Sequence, residues 1–217
     1  DATKLSTVVY ASFGRGGGTG TVGSTSAIEA YRLADGSINF DRIYQFNKAN
    51  NSAALARRSS INSHNWIGAI SSLNHKLNDN LNFTVGVDGR YYKGLHYRVM
   101  SDFLGATSYK DNTDINNPNR IITDAYDASP NWNPFGGKTD ETKIMYNNDG
   151  IVNWLGGFGQ LEYSIGGLSA FAQGSISNQG FQRVDYFLYT PANQKTEMVN
   201  KLGYNVKAGV NYNLNAN

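Results

Sequence analysis

Chemistry in this chain would have to come from a few groups of residues. The densest set of oxygen donors is Asp111, Asn112, Asp114, Asn116 and Asn117, with Asp124 and Asp127 a little further on. Carboxylate and amide oxygens suit hard cations, which makes Asp111 and Asp114 calcium candidates. The spacing lacks the glycine and closing glutamate of an EF-hand loop, so a solvated loop is the simpler account. Gly14-Arg15-Gly16-Gly17-Gly18-Thr19-Gly20 has the glycine content of a phosphate-cradling loop. It lacks the Gly-Lys-Ser/Thr ending and the strand-to-helix setting that such a loop needs, and reads as a flexible strand end entering a loop. His64, His75 and His96 stand apart, with no His-Glu-x-x-His pattern and no cysteine partners, so zinc has no local signature. Asp88 and Glu162 come without a nucleophile or base to complete a catalytic pair, and no enzyme activity is expected. Tyr109, Tyr126, Trp132 and Phe135 are the candidates for ligand contact, because exposed rings among amides can stack on a sugar or pack against a partner. The competing account is that these rings fold their own loop.

The elements that would position these groups are strands. With 24 Gly, 14 Tyr, abundant Asn and only 17% charged residues, the composition favours strands and turns over helices. Mean hydropathy is −0.46, and no apolar run approaches the roughly 20 residues of a membrane helix. A membrane-spanning strand presents an apolar side chain only at every second position, so low average hydropathy is compatible with a barrel. The net charge of +2 comes from 19 basic and 17 acidic residues spread without a run, which leaves no footprint for nucleic acid. The absence of cysteine removes disulfides, thiolate metal sites and cysteine nucleophiles. Asp1 to Tyr10 has no basic start and no long apolar core of a signal peptide, so the sequence reads as processed or as a piece of a longer polypeptide.

Period-two alternation predicts six strands, at 5–13, 66–77, 81–97, 151–164, 168–188 and 202–214. In the third, Leu81, Phe83, Val85, Val87, Gly89 and Tyr91 share one side, opposite Asn82, Thr84, Gly86, Asp88 and Arg90. In the last, Tyr204, Val206, Ala208, Val210 and Tyr212 alternate with Asn205, Lys207, Gly209 and Asn211. Asn78-Asp79-Asn80 and Ile165-Gly166-Gly167 are tight turns. The other connections, roughly 14–63, 100–150 and 189–200, are long and polar. Compact domains usually join elements with about 4 to 6 residues, whereas outer-membrane barrels pair short periplasmic turns with long extracellular loops. Phe83, Tyr163 and Tyr212 then fall near the short-turn end, His75 lies close to the same end, and Tyr10, Tyr91 and Tyr92 fall near the other, as aromatic girdles would. Asp88, Arg90, Gln160 and Glu162 are expected to face the lumen. The fold class is all-β, with antiparallel up-and-down strands forming part of a large transmembrane β-barrel with long extracellular loops. Since known single-chain barrels start at about eight strands, further strands must come from elsewhere in the parent polypeptide.

The stretch from Gly86 to Arg98 (Gly-Val-Asp-Gly-Arg-Tyr-Tyr-Lys-Gly-Leu-His-Tyr-Arg), followed by Asp102-Phe103-Leu104-Gly105-Ala106, resembles the barrel of TonB-dependent receptors of the SusC/RagA-like type. Similar support comes from Ser12 to Gly20, Asn153 to Tyr163 and Phe171 to Asn178, so that the resemblance spans nearly the whole chain. It implies a barrel of about 22 strands enclosing a plug, in the outer membrane of a Gram-negative bacterium. It further implies nutrient import of the glycan or peptide class, energised through TonB, and a SusD-like surface lipoprotein as partner. No plug, TonB-box segment or barrel-closing strand is recognisable in these residues, so 1–217 is read as wall and loops of a parent receptor, in contact with outer-membrane lipid. No cofactor is expected. The alternative is a soluble or surface-attached β-sandwich ligand-binding module, in which the same alternation fills a core between two sheets.

Overall fold

The computed structural model describes residues 2–24, 29–50, 53–127 and 140–214. The alternating segments form one antiparallel sheet made of β1 (Thr3–Gly14), β2 (Gly17–Gly23), β3 (Leu55–Lys76), β4 (Leu81–Asp102), β7 (Lys143–Ile165), β8 (Leu168–Asp185) and β9 (Val199–Tyr212). Its spatial order is β1-β3-β4-β7-β8-β9, with β2 also paired to β3. β1 and β2 behave as one edge strand: Gly14 lies opposite His64 and Gly17 opposite Ile61 in an unbroken register. Across the gap the Asn62 N–H donates to the Gly16 carbonyl at 2.9 Å. A small separate hairpin, β5 (Tyr109–Asp111) with β6 (Arg120–Ile122), interrupts the β4–β7 connection.

β3, β4 and β7 are longer than their alternation suggests, whereas β8, expected over 168–188, ends at Asp185. β3 and β4 have 22 residues each and β7 has 23, which corresponds to ~70 Å of extended chain, against about 3 to 10 residues in ordinary globular strands. The sequence signal stops at 66, 97 and 151 because the outer portions, such as Arg57-Arg58-Ser59-Ser60 and Tyr146-Asn147-Asn148, no longer alternate. Their backbone ladders nonetheless continue, apart from irregularities at Arg57/Arg58 and Tyr97/Arg98. The stretch 14–63, expected as an irregular polar connection, contains β2, the start of β3 and a helix, α1 (Phe40–Asn50). Asn39 caps α1 by accepting the Arg42 N–H on its side-chain oxygen at 2.9 Å. Asp41 and Lys48 suit the helix dipole at opposite ends. Ile43 and Asn47, four residues apart and therefore on one face, are both buried.

Tight turns gather at one end of the sheet. Between β7 and β8, Gly166 takes a positive φ of 55°, which a two-residue hairpin turn requires and most side chains resist. Between β3 and β4, the Asn80 N–H donates to the Asn78 side chain at 2.9 Å. The long excursions, with α1 and the β5–β6 hairpin, lie at the opposite end.

Register assigns the two faces. One carries the row Leu5–Leu73–Val85–Gly159–Gly174–Val206, with Thr7–Ser71–Val87–Gly157–Ile176–Tyr204 beside it. The other carries Lys4–Asn74–Thr84–Gln160–Gln173–Lys207 and Ser6–Ser72–Gly86–Phe158–Ser175–Asn205. Phe83, Tyr163, Tyr212 and Tyr91 lie on the apolar face, as the girdle pattern anticipates. Tyr10 and Tyr92 do not: they pair into the rows of Gly68 and Trp66 on the polar face, since adjacent strand residues such as Tyr91 and Tyr92 must point oppositely.

Buried apolar side chains lie at the long-loop end, most of them in two small clusters. By strand parity, Val22, Ala56, Met100 and Ile144 continue the polar face upward, and Ile122 of the hairpin covers them. Ile61, Leu95, Tyr97 and Val99 continue the apolar face, and Tyr126 covers them. Below these clusters the described residues form a single layer, and Leu155, Ile176, Leu202, Val206 and Val210 are bare.

Candidate functional site

The polar face gathers the groups most able to meet a solute. Asp88, Arg90, Gln160 and Glu162 all lie on it, as expected from their phase. Arg90 grips Asp88, its Nε donating to Oδ1 at 3.0 Å, and its guanidinium lies 5.1 Å from the centre of the Trp154 ring. Gln160 donates to Glu162. Above this set an aromatic series crosses three strands: Tyr10 meets Trp66 edge to face at 6.3 Å, Trp66 meets Tyr92 likewise at 6.3 Å, and Tyr92 stacks on His64 at 5.7 Å. Sequence reasoning passed over Trp66, Tyr92 and Trp154 as site residues. The signal that could have found Trp154 is its phase, four and six residues before Phe158 and Gln160 on the same side of β7.

Several of these rings are held by glycines on neighbouring strands. The Tyr10 ring lies against Gly68 and the Phe158 ring against Gly86, where any β-carbon would collide with them. Glycine in a strand interior weakens the strand alone, and an aromatic neighbour covering it restores packing. The face is therefore a preformed wall of fixed rings and ion-paired side chains.

The loop candidates have a different environment. Tyr109 packs on the Val22–Ala56–Met100 cluster, and its burial pushes the phenol pKa up. The Tyr126 hydroxyl lies 3.2 Å from Thr142 Oγ1 while its ring covers Ile61 and Tyr97. Both rings pack down onto side chains of the sheet and stay half-buried. Trp132 and Phe135 lie outside the described residues.

Asp111 and Asp114, the calcium candidates, converge on Arg120. Its Nη2 donates to Asp111 at 2.6 Å, and its Nη1 lies 3.8 Å from Asp114. Thr113 donates twice to Asp111 Oδ1, and Asn116 and Asn117 donate to Asp114. With these oxygens engaged by a cation and loop donors, the cluster is an internal clamp on the loop. Asp124 accepts from Thr142 at 3.4 Å. Among the described residues no set of three or more His, Asp or Glu gathers as a metal site would require. His75 sits near the tight turns, 2.6 Å from Thr3 Oγ1 and tilted against Phe83.

Between the bare and covered parts of the apolar face lies a polar rim. Lys93 pairs with Asp149 at 2.9 Å, and Arg15 donates to Asn65 at 2.7 Å. Tyr186 donates to the same Asp149 at 2.9 Å. Burial first, then this bond to a carboxylate, pushes the Tyr186 pKa up to about 12.

No helix among the described residues is long and apolar enough to cross a membrane, which says nothing of crossing by strands. No family model, curated protein or solved structure matches this chain.

Proposed function

We propose that this chain is part of the wall and extracellular loops of a large transmembrane β-barrel, a TonB-dependent nutrient receptor in the outer membrane of a Gram-negative bacterium. The observation that carries the reading is a change in treatment along one face. Above the Lys93–Asp149 rim, the chain covers its own apolar side chains; below it, Leu155 is 68% and Val206 80% exposed. Soluble proteins rarely leave a contiguous apolar surface of this extent open to water. Acyl chains are the occupant that matches its shape, a flat belt running across every strand of the sheet.

The belt also has the right height. It spans eleven residues in β4 (81–91), β7 (155–165), β8 (168–178) and β9 (202–212). A membrane strand needs about 9 to 11 residues at a tilt near 45°, which gives an apolar band about 25 Å tall. Among the described residues, backbone groups along β1–β2 and β9 have no partner strand on their outer sides. In lipid each such group costs several kcal/mol unless paired, so the proposal requires further strands on both edges. The polar face would then line the lumen, with Asp88, Arg90, Gln160 and Glu162 in contact with water, a plug or passing solute. Glycans or peptides as cargo, TonB acting through a plug, and a SusD-like lipoprotein over the loops belong to the proposal through the family resemblance.

A sandwich-type binding module would need a second layer over the belt. None is present among the described residues, and no particular contact favours that reading.

The absence of cysteine makes the test direct. Single cysteines at Leu155, Leu161 and Val206 and at Gln160, Gln173 and Ser175 would carry an environment-sensitive fluorophore in the full chain reconstituted into phospholipid vesicles. Blue-shifted, lipid-quenched emission from the first three and water-like emission from the second three is the expected outcome. Equal emission from both sets, or a detergent-free folded monomer with the first set protected, would overturn the proposal.

A further inference from the structure

The glycine-rich strand and two arginines on the polar face form a group that neither the belt nor the lumen wall explains. Arg58 on β3 and Arg98 on β4 both donate to the Ser60 hydroxyl, at 2.5 and 3.2 Å. Two cationic groups thus share one neutral oxygen. Among the described residues no carboxylate lies within ion-pair distance of either, unlike Arg90, Arg120 and Arg183, which each pair with aspartate. Among the described residues, their only other hydrogen bond runs from Arg98 to the Met145 sulfur at 3.4 Å, a weak acceptor. The Arg98 guanidinium lies over the Tyr146 ring at 4.7 Å, which fixes its plane. Arg58 Nε is buried without an acceptor. Two guanidiniums carry ten N–H donors between them, and three bonds account for what the chain supplies.

Space for a ligand is present beside them. Gly16, Gly18 and Gly20 of the edge strand pair with Asn62, Ser60 and Arg58, on the same face as the arginines. A β-carbon at Gly16 or Gly18 would meet nothing within 4 Å, while one at Gly20 would touch the Arg58 guanidinium at 3.0 Å. Both arginines are half-buried, so solute can reach them while water screens them less than on an open surface. Desolvation, and then the neighbouring charge of Arg98, lowers the Arg58 pKa, as expected of a cation lacking its counter-ion.

We propose that Arg58 and Arg98, with the Ser60 hydroxyl and the open trough over Gly16 and Gly18, form a binding site for an oxyanion, either a carboxylate or a phosphate group. Planar guanidinium forks match both groups bidentately. The site stands on local geometry and does not depend on the membrane proposal. If that proposal also holds, the site faces the lumen just beneath the loop core, and the solute it would meet is anionic.

Calorimetric titration of the full chain in vesicles, at constant ionic strength, tests this with inorganic phosphate and acetate as probes and chloride as the reference. Saturable binding of phosphate or acetate beyond chloride is expected, and the preferred probe distinguishes phosphorylated from carboxylated ligands. Arg58→Gln and Arg98→Gln should each weaken binding about tenfold or more, the loss of one charge-assisted bond. Exposed Arg57→Gln should leave it unchanged. Gly18→Leu fills the trough without altering charge and should also abolish binding; it guards against misfolding of the arginine variants, which circular dichroism would reveal. Binding no stronger than chloride's, or retained in both glutamine variants, or retained in Gly18→Leu, overturns the site.

Discussion

Two stretches of the same sheet face teach different lessons about solvent. Ile61, Leu95, Tyr97 and Val99, above the Lys93 rim, are roofed by Tyr126. Leu73, Val85 and Val87, below it on the same side of the same two strands, and Ile176 and Val206 further along that face on β8 and β9, have no roof among the described residues. Folding in water rewards only the first arrangement, because uncovered apolar area forgoes about 25 cal/mol per Å². A chain that covers one stretch and leaves the next bare across the whole sheet is organised for two solvents. The upper half resembles a small globular domain with buried polar clamps, and the lower half relies on its surroundings for packing.

Perturbations should separate the halves. The largest effect is expected at the clamp: Arg120→Ala strands Asp111, whose side chain is fully buried, and breaking a buried pair costs about 3 to 5 kcal/mol. Hydrogen exchange should show lost protection in β5, β6 and the upper part of β7, with 155–165 unchanged. Equal loss in both parts would mean that the halves are one cooperative unit and the contrast is only apparent.

Next comes the belt. Leu161→Arg should destabilise the chain in vesicles by about 2 to 4 kcal/mol, as charges do near the middle of a lipid-facing wall. Gln160→Arg, on the opposite face of the same strand, should change stability by less than about 0.5 kcal/mol. Urea unfolding from vesicles measures both, and equal costs would remove the distinction between faces.

The smallest effect is in alkali, and it belongs to the upper half. Tyr186 has its pKa raised to about 12 in the folded chain, against about 10 unfolded. The native state therefore retains this proton over a range where the unfolded state has lost it. Its contribution is fully present below about pH 10 and disappears as pH rises towards 12. Tyr97, whose hydroxyl donates to Glu141 at 2.7 Å, is shifted in the same direction by burial first. With Tyr186 only half-buried and its charge partly screened, Tyr186→Phe should flatten the alkaline loss by under about 1 kcal/mol. Amide exchange in the upper loops between about pH 10 and 12 reads it, and a flattening confined to the belt would contradict the assignment.

Alternation made the lower half legible. Leu81 to Tyr91 and Tyr204 to Tyr212 carry their face assignment in their letters, and so did the polar side of Asp88, Arg90, Gln160 and Glu162, because a strand's side chains must point alternately whatever surrounds them. The upper half was not legible by that rule. Arg57 to Ser60 and Tyr146 to Asn148 have polar groups on both faces, so their strands continue without a period. The helix at Phe40–Asn50 has only Ile43 and Asn47 as its buried stripe, too thin a pattern to stand out between polar loops. Nor could spacing show that Asp111 and Asp114 turn to Arg120, since an oxygen-rich loop reads the same whether it holds a metal, water or a guanidinium.

What the sequence alone determined is the antiparallel meander, its tight turns and which side of each lower strand is apolar, because these follow from local sterics and a period of two. Only the tertiary structure decided where that apolar face is covered and where it is left bare, and that Arg58 and Arg98 share Ser60 beside a glycine trough. Those outcomes depend on which distant segments meet across the sheet, and register between strands is set by the packing of the whole rather than by any one stretch of residues.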